Sequence, residues 1–377
     1  MQHSKRPLIC LHQAAQKCLA KPVMLAPSPV DYLEKIQNSA NVDLKLLIAY
    51  SQQMLFFMQG SIHQDIKERL REPLGPENVS RYQLIIDDVC EEVLFTLAQK
   101  SGVVDIVCDI EEPLFVGLVQ RVFGYAPVCV RSFLRDVDVS VKIVEPVQSV
   151  KTLLKIQAVL RNMITSIIEQ LKNPRKSGLM YDIHSKLMGE NRSYSLDQIA
   201  ATIAILLIAS RTSSETISHI VIKNDSLSKP LRSKFSDKKW VAAYFQTLVR
   251  FCVSTEYLTR VASADVVIDD IELKKNDSLF IHVPSVNRDK SHFRNCEYEQ
   301  IANFPPERHL AFGAGVHRCP GSELARQLIV TFISGLFRRF PDVRVEQHSV
   351  IFKSSLLAKR IASASVLLGD EEQGNKQ

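Results

Sequence analysis

From His309 the chain reads His-Leu-Ala-Phe-Gly-Ala-Gly-Val-His-Arg-Cys-Pro-Gly, ending at Gly321. Gly313 and Gly315 permit a tight bend with its backbone exposed, and Cys319 lies at the end of that bend. The apolar-periodic run that begins at Ser322 aims a helix amino terminus at the thiol. Such a terminus carries partial positive charge and favours a thiolate, and His317 and Arg318 add to it. A core cysteine beside a glycine turn is the plain alternative. The eight cysteines (10, 18, 90, 108, 129, 252, 296 and 319) form no C-x-x-C pair and no C-x-x-C-H. A zinc ribbon, a thioredoxin site and covalent c-type haem are therefore unsupported, and most of the others read as small core residues.

The elements that must position this loop are mainly helical. Leu324-Ala325, Leu328-Ile329, Phe332-Ile333 and Leu336-Phe337 keep helical spacing from Ser322 until Pro341 stops it. Helical periodicity also fills the chain from Leu44 to about Lys223. One helix starts near Tyr82, with Leu84, Ile85, Val89, Val93, Leu94 and Leu97 on its stripe; another covers Pro146 to Leu171 and ends at Asn173-Pro174. Ser195-Leu196-Asp197-Gln198 has capping-box spacing ahead of the apolar run Ile199–Ala209, which predicts a long buried helix. Hydroxyl residues from Ser210 to Thr216 predict a kink in it. A further helix spans about Asp237 to Val253, with Trp240, Ala243, Phe245 and Leu248.

Strand signals are few. Val266–Ile268, a turn at Asp269-Asp270 and Ile271–Leu273 form a hairpin, and Leu279–Val283 follows. Short strands are expected at Val343–Val345 and Val350–Phe352, and near the start at Val23–Leu25. The fold class is mainly α with a minor β region, one domain over residues 1–369, with 370–377 a disordered tail. The sequence has 377 residues, 46% hydrophobic and 23% charged, with net charge +6 and no basic stripe, which argues against nucleic acid. The run Ile199–Ala209 is too short to cross a membrane, and Leu8–Leu11 is too short for a secretory signal, so a cytoplasmic location is expected.

Phe312, Gly315, His317, Cys319 and Gly321, followed by Leu324-Ala325-Arg326, resemble the cysteine-ligand loop of the cytochrome P450 family, bacterial soluble type. The resemblance implies haem b (iron protoporphyrin IX) held non-covalently, with Cys319 as the axial metal ligand. It extends in order along most of the chain. Gln53–Met58 leading into His63 and Lys67 resembles the helix that crosses the haem face. Arg260-Val261-Ala262 resembles the Arg-x-Ala strand, Val286–Asp289 with Phe293 the Ala-Asn-Arg-Asp turn, and Leu206–Ser210 the oxygen-binding helix. By this resemblance His63, Lys67, Arg260 and His317 contact the haem propionates, and Phe312 and Gly321 belong to the cofactor site.

The departures bear on mechanism. Aligning on Leu206–Ser210 places Thr212 where the family has a proton-relaying acid and Ser213 where it has a threonine; sliding one turn installs Glu215-Thr216 instead. The first register is preferred. The family's Glu-x-x-Arg reads Thr247-Leu248-Val249-Arg250, and the arginine that completes its triad is absent near Asn303 and Phe304. Arg250, if buried, must then find carbonyls.

The expected function is a haem-thiolate oxidoreductase, monooxygenase-like, acting on a small, specialised metabolite, with a ferredoxin-type electron donor if it is a monooxygenase. Two rivals stand beside it. One is haem-thiolate chemistry without ordinary oxygen activation, namely peroxide use, rearrangement, dehydration or nitrogen-centred chemistry. The other is a non-catalytic relative that scaffolds a partner enzyme; a carrier protein or partner enzyme is a further candidate partner.

Overall fold

The computed structural model describes residues 7–100, 102–172, 177–189, 194–294, 296–302 and 307–369. Helices form in chain order as α1 (His12–Ala20), α2 (Val30–Ala40), α3 (Lys45–Gln53), α4 (Gly60–Leu70), α5 (Pro76–Ser80), α6 (Gln83–Ala98), α7 (Glu112–Gly117) and α8 (Val130–Ser140). They continue as α9 (Val150–Leu171), α10 (Leu179–Leu187), α11 (Leu196–Asn224), α12 (Lys229–Ser233), α13 (Lys238–Cys252), α14 (Val283–Val286) and α15 (Ser322–Arg339). The strands are β1 (Leu8–Ile9), β2 (Met24–Leu25), β3 (Val103–Asp105), β4 (Tyr257–Ala262), β5 (Val266–Ile268), β6 (Ile271–Leu273) and β7 (Ser278–His282). After them come β8 (Arg344–Val345), β9 (Ile351–Phe352), β10 (Ile361–Ser363) and β11 (Ser365–Leu367).

The mainly α class with a minor β region is what the chain adopts. One sheet has the order β1-β7-β4-β2, with β1 parallel to β7 and the other pairs antiparallel. A second has the order β3-β11-β8, and the expected β5–β6 hairpin pairs Val266 with Leu273. β1, β3, β10 and β11 escaped sequence reading because two or three residues are too few for alternation to register.

α11 is the central helix. Ser195 caps it as expected, its side chain accepting from the Gln198 N–H while Gln198 reaches back to the Ser195 N–H. It is continuous through the hydroxyl stretch, where the back-bonds from which a kink was expected do form. Ser210, Ser214 and Thr216 bond back to the carbonyls of Leu207, Arg211 and Thr212, and the helix absorbs these bonds without interruption. Its 29 residues and apolarity would suffice to cross a membrane, contrary to the estimate that stopped at Arg211. It packs instead inside the protein, against α9, α13 and α15.

Two smaller expectations fail. Leu84 was placed on the apolar stripe of α6 but is 78% exposed, and Ile86 and Cys90 take the buried face. Of the cysteines, Cys18, Cys90 and Cys252 are buried, whereas Cys10, Cys108 and Cys129 are exposed. Asn173-Pro174, Asn303-Phe304 and the tail 370–377 lie outside the described residues.

Candidate active site

The cysteine loop is built by its backbone. The Gly313 N–H donates to the Leu310 carbonyl (2.9 Å), the Arg318 N–H to Gly315 (3.1 Å) and the Cys319 N–H to Phe312 (2.8 Å). Gly315 has φ +66°, and a Cβ there would stand 2.3 Å from the Leu19 carbonyl oxygen at the end of α1. Only glycine lets α1 approach so closely. On the other side Lys67 of α4 donates to the carbonyls of Val316, at 2.7 Å, and Arg318. Asn287 ties the loop to α13: its side-chain oxygen accepts from the Leu310 N–H, while its carbonyl accepts from Arg250 at 2.7 Å. Arg250 therefore finds a carbonyl, as its missing carboxylate required. The rings of Phe251 and Phe293 also flank it at 4.2 and 4.3 Å, and burial lowers its pKa to about 10.

The sulfur of Cys319 opens onto a cavity of about 700 Å³. The same cavity is lined by His63, Lys67, Arg260, Phe312, His317 and Gly321 from the loop side and by Thr212 and Ser213 from α11. Every residue singled out in the sequence for the site thus converges on one space. A Cβ on Gly321 would meet nothing within 4 Å, so the wall beside the cysteine is bare. His63 and His317 lie ring to ring at 4.3 Å, with His317 Nε2 3.3 Å from Gln59 Oε1. Burial first, and neighbouring charge second, lower His63 to about 4 and His317 to about 3, so both are neutral hydrogen-bonding groups near neutral pH. Arg260 donates to the carbonyl of Thr259 at 2.7 Å. Lys67 doubles as the brace of the cysteine loop, a role invisible in sequence because it depends on two carbonyls roughly 250 positions away.

One expectation about the thiol is corrected. Burial pushes the Cys319 thiol above its ordinary value, and the Gly321 N–H, Lys67 and Arg318 oppose that shift without overcoming it. A metal ion bound there would supply the charge that favours a coordinating thiolate.

Sequence reading missed a buried ionic cluster behind α11. Arg211 Nη2 stands 3.2 Å from Glu111 and 3.6 Å from Glu112, and its Nε is 3.9 Å from both Asp138 and Glu215. Glu215 pairs with Arg360 at 2.6 Å, and Arg360 with Asp138 at 2.8 Å. Charges far apart in sequence, with no shared motif, gave no signal. The π-helical segment Ile106–Glu111 turns Glu111 into the core, where burial and the neighbouring Glu215 raise its pKa well above the carboxylate range.

Comparison with known proteins agrees with this geometry. The family model for cytochrome P450 matches residues 248–362, which include Arg250, Arg260 and the cysteine loop. Cytochrome P450 141 of Mycobacterium tuberculosis is 25% identical over 298 residues, 77% of this chain and 72% of that protein. A biotin biosynthesis cytochrome P450 of Bacillus subtilis is 24% identical over 299 residues, 78% of this chain and 74% of that one. Among solved structures, P450BioI in complex with an acyl carrier protein superposes with a TM-score of 0.85 at 19% identity, over 96% of this chain and 92% of that one. A cysteine loop braced from two sides, a fold shared over nearly its whole length and relatives of one kind point to the cytochrome P450s, oxidoreductases whose cofactor is haem b, as the proteins this chain is similar to.

Proposed function

We propose that the protein is a monooxygenase-like haem-thiolate enzyme acting on a small, specialised metabolite, a single haem domain over residues 1–369 located in the cytoplasm. The observation that carries the reading is the convergence of Cys319, His63, Lys67, Arg260 and His317 on one cavity. The fit is chemical: a soft sulfur ligand on one wall, a bare wall at Gly321 beside it, and a group of cationic and hydrogen-bonding side chains suited to two carboxylate arms. Cys319 holds the iron, and Arg260, His63, Lys67 and His317 hold the propionates. Held through a thiolate, haem b supplies two-electron oxidation with oxygen or peroxide, the sulfur favouring O–O cleavage. The neutral imidazoles donate hydrogen bonds. Phe312, stacked 6.1 Å from Phe245, closes the site toward α13. A ferredoxin-type donor provides electrons. The carbon monoxide difference spectrum of the reduced protein tests the reading, with a sulfur-ligated Soret band as the expected result.

Arg260 tests the propionate assignment. A charge-assisted hydrogen bond is worth about 1.5 to 3 kcal/mol, so Arg260→Ala should release haem roughly 10- to 100-fold faster, followed as transfer to an excess of a haem acceptor. An unchanged transfer rate removes Arg260 from the site.

The proton supply distinguishes ordinary monooxygenation from peroxide, rearrangement or dehydration chemistry. Thr212 offers no carboxylate, and among the described residues the Ser213 hydroxyl has no hydrogen-bond partner and is free to hold a water. In a monooxygenase Thr212→Asp should raise oxygen-dependent product formation several-fold, and Ser213→Ala should lower it by about 10²-fold, within the range for one proton-transfer group. Product formation indifferent to both variants favours the second chemistry.

A further inference from the structure

The cavity wall supplied by α11 and the chain after α13 differs from the rest. Away from the cations and histidines beside the cysteine loop, much of the lining is apolar, with Phe56, Phe57, Ile143, Val144, Leu153 and Leu206. Here it carries Glu215, Arg360 and Ser254, all buried. Their charges are already matched. Arg360 gives Nε to Glu215 Oε1 at 2.6 Å and Nη2 to Asp138 at 2.8 Å, and Arg211 lies among four acids. Glu215 Oε2 is the loosely engaged atom: it accepts from the Ser254 hydroxyl at 3.4 Å, which leaves acceptor capacity. The wall is also stiff, because the Lys359 N–H donates to the Ser254 carbonyl at 2.7 Å and His219 Nε2 meets the Lys359 carbonyl at 2.7 Å. Glu145, at the α8–α9 connection, lines the same cavity and takes hydrogen bonds from Ser355 and the Leu356 N–H, so it brings a second negative charge.

We propose that Glu215 is the specificity-determining residue: the substrate is an apolar, electrically neutral molecule that sets a hydroxyl or amide N–H against Glu215 Oε2, and ionised carboxylic acids are rejected there. This rests on the active-site reading above. A neutral donor gains a charge-assisted hydrogen bond. A carboxylate meets a like charge whose cation is already taken, and buried like charges are costly. Lys353 also pairs with Asp138 at 2.7 Å and Glu111 keeps its proton, so three cations face Glu112, Asp138 and Glu215, and an ammonium group would upset that balance. The raised pKa of Glu111 is a second sign that this region holds as much negative charge as it tolerates.

The test uses three probes of one chain length, decanol, decanoic acid and decylamine, titrated calorimetrically into the haem-loaded protein at neutral pH. Decanol should bind at least about tenfold more tightly than either charged probe, a difference of about 1.4 kcal/mol. Glu215→Gln keeps the shape but leaves Arg360 Nε without its carboxylate, so decanoic acid should gain about tenfold while decanol weakens. Glu215→Asp should restore the original order. Decanoic acid or decylamine matching decanol in the unmodified protein overturns the proposal, as does a ranking unmoved by Glu215→Gln. The thiolate Soret band, recorded on every sample, reports separately on the active-site reading. If Glu215→Gln does not fold, the ranking in the unmodified protein still decides.

Discussion

Cys319→Ala should abolish the thiolate signature. The reduced, carbon monoxide-treated wild-type protein should show the red-shifted Soret band of haem bound through sulfur, at about one haem per chain, and the variant should show none of it. The reason lies in the donor set. Cys319 is the cysteine among the described residues that opens onto the cavity, with His63 and His317 committed to each other and to Gln59. The substitution removes the sulfur and little else. Gly313, Gly315 and Phe312 hold the loop through backbone bonds, and Lys67 grips carbonyls, so the helical circular dichroism should persist. A wild-type protein that takes up no haem, or a variant that keeps the sulfur signature, would sink the assignment and leave the scaffold reading in its place.

Arg211→Met carries the largest expected loss of stability. Arg211 is 1% exposed, and its removal strands Glu111 and Glu215 in the core beside α11. Breaking a buried charge network by deleting one partner costs about 3 to 5 kcal/mol, which should appear as a lower urea midpoint with an unchanged slope. The sign of the pH dependence follows from Glu111 alone. Its folded pKa is raised above the ordinary 4.5, so the folded state holds a proton that the unfolded chain gives up. Its contribution is complete below that ordinary value and is lost as pH rises through the raised one. Glu111→Gln should flatten this decline. Arg211→Met with a wild-type midpoint would mean that the cluster contributes nothing.

What was legible from sequence follows from range. α11 and α15 announced themselves because capping at Ser195 and periodicity after Ser322 are local signals. The cysteine loop was legible for the same reason, with five informative residues inside ten positions. His63, Lys67 and Arg260 could be placed only through resemblance, since nothing local separates a cavity-lining arginine from a solvated one. The Glu111–Arg211–Glu215–Arg360 cluster spans about 250 positions and depends on a π-helical turn that no periodicity encodes. The hydroxyl stretch of α11 was legible too, since three of its side chains return their bonds to the helix's own carbonyls within a continuous helix.

The double bracing of the cysteine loop has an entropic consequence. Leu19 presses its carbonyl against Gly315 from one side, and Lys67 fastens the carbonyls of Val316 and Arg318 from the other. The loop's conformational freedom is thus surrendered when the chain folds. Ordering a residue's backbone costs about 1 to 2 kcal/mol, a toll that a floppy loop would levy on each cofactor it captured. Here that cost falls on folding, so a cofactor bound at Cys319 would not have to meet it.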